Sequence, residues 1–233
     1  MMSRANVLIL PGLLEDADAF EAVITGSSDL ATVTVADMTR ADTIAGLAAE
    51  ALRQAPAGPL LLAGHSMGGY VALEVLRQAP GRVAKLALLN THARPDTPES
   101  TENRRRLMAL AEHDFEAVVT ALLPKLMTSA HLEDPELTGI ISSMAHAVGK
   151  DAFKGQQEAI IGRIDSRPSL KDIRCPTLVI AARHDALMPV ELLKEMSDAI
   201  AASRLAIVEE SGHMASIEQP ARVLELIRGW IGN

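Results

Sequence analysis

Ser66 sits in the stretch Gly64-His65-Ser66-Met67-Gly68, between an aliphatic run, Leu60–Ala63, and a helical pattern over Met67–Gln78. A serine placed so is a candidate nucleophile on a sharp turn, with glycines on both sides that let neighbouring segments approach. Its hydroxyl needs a base to take the proton, and the base needs an acid to orient it. Two later aliphatic runs end in residues of those types. Thr177–Ala181 leads into Ala182-Arg183-His184-Asp185, and Leu205–Val208 leads into Glu209-Glu210-Ser211-Gly212-His213. Asp185 and His213 thus stand just past the C-terminal ends of two expected strands, where ligands bind in open α/β sheets. With Ser66 they form a set able to attack a carbonyl carbon and pass through an acyl intermediate. Singly, each has a bland reading: a helix-capping serine, an aspartate bonded to its own loop, a surface histidine. Their joint placement favours the chemical one.

Such an attack creates an oxyanion that N–H donors must hold. The helix expected from Met67 aims its free N–H groups and positive end there, making Met67 one candidate donor. The turn after the first aliphatic run, Leu10-Pro11-Gly12-Leu13-Leu14, supplies the second from Leu13 or, as fallback, Leu14. The other histidines compete weakly. His65 is expected to pack behind the serine, His184 to point away, and His92 to follow a strand end where it can line a pocket. His113, His131 and His146 fall in a long helical stretch. There is no H-E-x-x-H, paired C-x-x-C or phosphate loop, so neither metal nor cofactor is expected. Cys175 is the single cysteine, which rules out an internal disulfide, and reads as a small buried residue.

The elements that must position these groups follow from hydropathy. Continuous aliphatic runs over Val7–Leu10, Thr32–Ala36, Leu60–Ala63, Val83–Leu89, Thr177–Ala181 and Leu205–Val208 predict strands buried on both faces. Helical patterns over Ala17–Thr25, Thr43–Gln54, Met67–Gln78, Val190–Ala201 and Pro220–Trp230 lie between or after them. The alternation predicts a mostly parallel sheet of six strands with helices on both faces. Between about Ala93 and Arg167 no strand is expected. Four helices are read there, near Glu99–Glu112, Phe115–Met127, Pro135–Val148 and Ala152–Ile164, with Asp114, Asp134 and Asp151 at N-cap positions. The expected organisation is a core of residues 1–92 and 168–233 with an inserted α-helical cap, or lid, at 93–167. On the last cap helix Gln156, Ala159, Ile160 and Arg163 share a face by spacing; Gln156, Ile160 and Arg163, with Leu14 and His92, are candidate pocket residues, although packing on the core is the commoner use of such a face.

Bulk composition narrows the partners. The 233 residues carry a net charge of −8, which argues against nucleic acid. Aromatics are only 2%, so an aliphatic, methionine-rich pocket for a small-molecule substrate is expected rather than stacked bases. The basic run Arg104-Arg105-Arg106 reads as a solvated helix face. No segment approaches a membrane span, and the apolar run near the N-terminus is too short for a signal peptide, so the expectation is a cytoplasmic protein. Nothing in the sequence sets an oligomeric state.

These motifs together, "LPGLLEDADAF", "GHSMGGYVALEVL", "CPTLVIAARHDALMP" and "VEESGHMASIEQP", resemble the α/β-hydrolase superfamily over nearly the whole chain, and in particular its bacterial esterase-like members with a helical cap. The order Ser, Asp, His is that of the superfamily. The resemblance implies catalysis by Ser66, His213 and Asp185 with backbone N–H donors at the oxyanion. It implies hydrolysis of small, mainly apolar carboxylic esters or thioesters. The same residues in this superfamily also serve C–C bond hydrolysis, lyase or acyl-transfer chemistry, and some members act as ligand receptors. Two departures stand out: Pro11-Gly12 replaces the usual His-Gly of the oxyanion loop, and the chain starts almost at once with the strand before that loop, giving six strands instead of the usual eight. Asn90 stands where some relatives place the acid, which leaves that role to Asp185.

Overall fold

Continuous apolar strands are stable only where both faces are covered, and the chain folds to meet that demand. The computed structural model describes residues 4–232; residues 1–3 and 233, which the expected core boundaries include, lie outside the described residues. Six strands, β1 (Ala5–Leu10), β2 (Ala31–Val35), β3 (Leu60–His65), β4 (Val83–Leu89), β5 (Thr177–Ala182) and β6 (Ser203–Val208), form one sheet in the order β2-β1-β3-β4-β5-β6. Every neighbouring pair is parallel. Helices α1 (Glu21–Gly26), α2 (Ile44–Gln54) and α3 (Met67–Gln78) occupy the first crossovers. Helices α4 (Pro98–Ala111), α5 (Phe115–Leu126), α6 (Ser129–Leu132), α7 (Pro135–Ile161) and α8 (Arg167–Leu170) lie between β4 and β5, and α9 (Val190–Ala199), α10 (Ala215–Glu218) and α11 (Pro220–Gly232) complete the chain.

Alternate residues along each strand enter opposite layers. Leu8, Leu10, Leu62 and Leu86 pack with α2, α3 and α9 on one face, while Val7, Ile9, Leu61 and Leu89 pack with α1 and α11 on the other. Burying one such leucine side chain contributes roughly 1.5–3 kcal/mol. A third cluster, containing Val118, Val119, Ala145 and Phe153, joins α5 to α7 and takes in Leu14 from the loop after β1.

The expected elements are present, with local differences. Asp114 and Asp134 do cap α5 and α7, accepting from Ala117 and from Glu136 and Leu137 backbone N–H groups. The two helices expected over Pro135–Val148 and Ala152–Ile164 are both present within α7 and meet at Gly149, whose φ of 83° and ψ of 167° are non-helical. Only glycine adopts that backbone cheaply, so the chain turns there without a loop. The one-turn helices α6, α8 and α10 were not expected, since a single turn carries no readable periodicity. Cys175 is half-buried rather than buried. No helix among the described residues is long and apolar enough to cross a membrane.

The junction of β1, β3 and α3 is the tightest in the fold. A Cβ on Gly68 would collide with the Leu10 carbonyl, and one on Gly64 with the Gly68 carbonyl. Gly68→Ala should therefore lower stability by about 3 kcal/mol or more, because backbone rather than a flexible side chain has to move. Gly139→Ala, on an open face of α7 with nothing within 4 Å, should raise it by about 0.5–1 kcal/mol. Urea unfolding of the two variants checks both signs.

Candidate active site

Ser66 closes β3 and opens α3 in a backbone conformation, φ 51° and ψ −118°, that non-glycine residues seldom adopt. The strain is held by neighbours: the Ser66 N–H donates to the Leu89 carbonyl at 3.0 Å, and its carbonyl accepts from the Thr91 hydroxyl at 2.8 Å. The effect is to lift the hydroxyl out of the sheet edge towards the C-terminal ends of the strands.

There the loops after β5 and β6 bring two predicted residues to it. Ser66 Oγ lies 2.8 Å from His213 Nε2, and His213 Nδ1 lies 2.8 Å from Asp185 Oδ2. Asp185 is buried, which opposes its ionisation. The charge and hydrogen bond of His213, the Asn90 side-chain amide at 2.8 Å and the Met188 N–H outweigh that and hold the carboxyl below its usual range. An ionised carboxylate only accepts, so it accepts a hydrogen bond from the Nδ1–H, keeping that proton on Nδ1 and the Nε2 lone pair facing Ser66. Leu187 N–H completes the cradle at 2.8 Å from Oδ1. Asn90 thus appears as a donor to the acid, a role that sequence reasoning, which only excluded it as the acid, had missed.

The oxyanion candidates separate. Leu14 N–H is taken by Gln156 Oε1 at 3.0 Å, whereas Leu13 and Met67 N–H groups have no hydrogen-bond partner among the described residues. Gln156 is accordingly not a pocket residue. Its amide bridges Leu14 N–H to the Met38 carbonyl, 3.2 Å from Nε2, and so fixes the loop after β1 to the segment after β2. Its neighbour Gln157 faces the pocket instead.

That pocket has a volume of about 220 Å³ and lies over Ser66 and His213 beneath α4, α5 and α7. Leu14, His92, Ile160 and Arg163 line it, as does the Leu13 that carries a free N–H. Leu107, Val119, Leu122, Leu126, Ile141 and Met144 form an apolar wall. Arg104 corrects another expectation: Arg105 and Arg106 are exposed, but Arg104 turns inward and lines the pocket. His184 is exposed and takes no part. Among the described residues no three His, Cys, Asp or Glu side chains group as a metal site would.

A sequence profile of the alpha/beta hydrolase fold matches residues 6–220. The chain belongs to the α/β-hydrolase family. A curated relative from Azorhizobium caulinodans, which carries the provisional name carbamate hydrolase RutD, is 32% identical over 73% of this chain; the match spans 65% of that relative's length, just under two thirds. A thermophilic esterase from Thermogutta terrifontis, solved with malate bound, superposes with a TM-score of 0.89 at 28% identity, covering 99% of this chain and 90% of the esterase. An enol-lactonase from Burkholderia xenovorans shares the fold, with a TM-score of 0.90 at 22% identity over 99% of this chain and 92% of that one. The chain is thus similar to hydrolases in both comparisons.

In this α/β hydrolase two further buried carboxylates hold the loops in place. Glu15 accepts from Gly12 N–H at 2.8 Å and from His65 Nδ1 at 2.8 Å, and His65 Nε2 lies 3.0 Å from the His213 carbonyl. The loop after β1, the residue before Ser66 and the backbone of His213 are thereby joined. His65 does pack behind the serine as expected, but as one half of a pair whose acid, Glu15, no local pattern marks. Glu218 accepts from Gly212 N–H at 2.7 Å through one oxygen, and from Thr128 N–H and His131 Nδ1 at 2.8 and 2.9 Å through the other. Met214 N–H adds a bond to the Leu126 carbonyl at 3.0 Å.

Burial disfavours the charged form of His65, yet the carboxylate of Glu15 and the His213 carbonyl raise its pKa above 6.5. A raised folded-state value means that the native state holds the proton more tightly than the unfolded chain. The resulting stability is full below pH 6.5 and is lost as pH rises through the folded value. Glu15→Gln should therefore cost about 3 kcal/mol at pH 6, and the cost should shrink steadily as pH is raised above 6.5, as read by urea unfolding across a pH series.

Proposed function

We propose that this hydrolase is a serine enzyme that cleaves small, mainly apolar carboxylic esters or thioesters through an acyl-enzyme. The observation that carries the reading is the pair of 2.8 Å contacts joining Ser66 Oγ, His213 and Asp185 on a strained turn beside two unoccupied N–H groups. His213 Nε2 takes the Ser66 proton as Oγ attacks the carbonyl carbon. Asp185 keeps the imidazole in the required tautomer and stabilises its cation. The N–H groups of Leu13 and Met67 hold the oxyanion, and α3 presents its positive end to it. The protonated His213 gives its proton to the departing alcohol or thiol. It then takes one from water, which attacks the acyl carbon and releases the acid with Ser66 restored.

Pocket size supports a small substrate: about 220 Å³ is below the roughly 300–1,000 Å³ usual for drug-sized ligands. The apolar wall supports a short hydrocarbon part. Helices α4–α7 over the pocket support reading residues 93–167 as a cap on a core of 1–92 and 168–233. The relative named for carbamate hydrolysis favours a second reading, in which the scissile carbonyl belongs to a carbamate; the same residues and oxyanion donors serve both. C–C bond hydrolysis, lyase and acyl-transfer chemistry share the machinery but have no such support. We also read a cytoplasmic protein acting on a small molecule, without nucleic acid or membrane partners.

A fluorophosphonate should label Ser66, located by peptide mass mapping, and Ser66→Ala should abolish both labelling and ester turnover. Asp185→Asn should lower kcat by about 10⁴ through the wrong His213 tautomer. Folded protein that gives no adduct on Ser66 would refute the assignment.

A further inference from the structure

One end of the pocket is charged, and its charges do not balance. Asp96 lies against two arginines, with Oδ1 2.8 Å from Arg163 Nη1 and 3.3 Å from Arg104 Nε. Its other oxygen accepts from the Thr101 hydroxyl at 2.8 Å. One carboxylate thus faces two guanidinium groups, which leaves an excess positive charge in a chain whose net charge is −8. Other acids near this end are paired as well: Asp185 with His213, Glu195 with Arg94, Glu74 with Arg77, and Glu15 with His65. Burial, together with Arg163, Arg94 and Arg104, pushes the His92 pKa down to about 4, so that imidazole stays neutral and adds no charge.

Unused donors converge on the same end. Gln157 is 1% exposed, and its Oε1 accepts from Arg104 Nη1 at 2.8 Å. Since arginine only donates, the amide cannot turn over, and its Nε2 is left buried with no partner. His92 Nδ1 accepts from Arg94 N–H at 3.0 Å, so its proton is on Nε2, which donates to Tyr70 Oη at 3.3 Å. The Tyr70 hydroxyl proton remains for the pocket. Nη2 of Arg104 and of Arg163 makes no hydrogen bond among the described residues. Tyr70 stands one helical turn after Ser66, and Arg163 Cζ lies 4.6 Å from the Tyr70 ring centroid. The donors are therefore close to the nucleophile and, with it, line one cavity.

We propose that this end of the pocket is a carboxylate-binding subsite, formed by Arg104, Arg163, Gln157 and Tyr70, so that the preferred substrate is a short ester or thioester bearing a free carboxylate. The proposal rests on the hydrolase reading above and names its substrate class. The cavity holds about seven waters' volume, at roughly 30 Å³ each, enough for an acid of a few carbons between the apolar wall and the arginines. A carboxylate there satisfies the Gln157 amide and makes charge-assisted bonds to the guanidinium groups.

The test compares monomethyl succinate, glutarate and adipate, and the O-acetyl esters of short hydroxy acids, each with the neutral ester in which the free acid is methylated. The half-ester should have the higher kcat/KM in at least one pair, by roughly 10–100-fold, with the difference mainly in KM. Gln157→Glu keeps the acceptor for Arg104 but turns the free donor into an anion. It should cut the half-ester to neutral-ester ratio by about tenfold or more. Arg104→Gln should lower the same ratio. Equal kcat/KM within every pair, or a ratio that neither variant changes, overturns the subsite. A binding arm separates this from failure of the catalytic reading: the Ser66→Ala protein is melted with each half-ester and each neutral ester. Greater stabilisation by a half-ester, lost in the Gln157→Glu double variant, upholds the subsite even if nothing is turned over. No difference between the two kinds of ester overturns it.

Discussion

The first turn of α3 lies so close to the end of β1 that only hydrogen atoms fit between Gly68 and the Leu10 carbonyl. That approach fixes three things at once. It sets the turn on which Ser66 is strained, it brings the loop carrying Leu13 alongside the N–H of Met67, and it leaves the region above the strand ends for the loops of Asp185 and His213. Leu13 and Met67, more than fifty residues apart in sequence, can line one pocket because no side chain intervenes. The tight junction thus holds the turn of Ser66 and the loop after β1 in fixed register.

Buried carboxylates do the rest of the positioning. Asp185, Glu15, Asp96 and Glu218 each take several donors, and none is left with a bare charge in a low-dielectric setting, where it would be costly. Their partners come from distant segments: Glu15 reaches His65, Asp96 reaches Arg163, and Glu218 reaches Thr128. An acid of this kind fixes relative positions more sharply than apolar contact, because the directions of its hydrogen bonds are specified.

How much of this was legible in the sequence depended on whether the signal was local. Ser66, Asp185 and His213 could be read because each sits where a strand ends, and strand ends follow from continuous apolar runs. Helix azimuth was harder. Gln156 and Gln157 differ by about 100° around α7, and spacing within the helix does not say which way the stripe faces once Gly149 bends it. Three consecutive helical arginines span about 200°, so Arg104-Arg105-Arg106 could not all share the solvated face, yet only tertiary packing decides which one turns in. Glu15 was invisible for another reason: its partner is fifty residues away, and an acid in a polar turn looks the same whether it faces water or a buried histidine. That Leu14 N–H is occupied while Leu13 N–H is free among the described residues depends on a side chain, Gln156, that no local pattern connects to that loop.

The bonds of Glu218 bear on how anything enters the pocket. Gly212 and Thr128 share its two oxygens, and Met214 is bonded directly to the end of α5 at Leu126. The helices over the pocket are in effect riveted, at that end, to the loop that carries His213. A swing that opened the cover there would have to break the rivet or drag His213 away from Ser66. Anything that enters the pocket while Ser66 and His213 stay 2.8 Å apart must therefore do so without lifting that end.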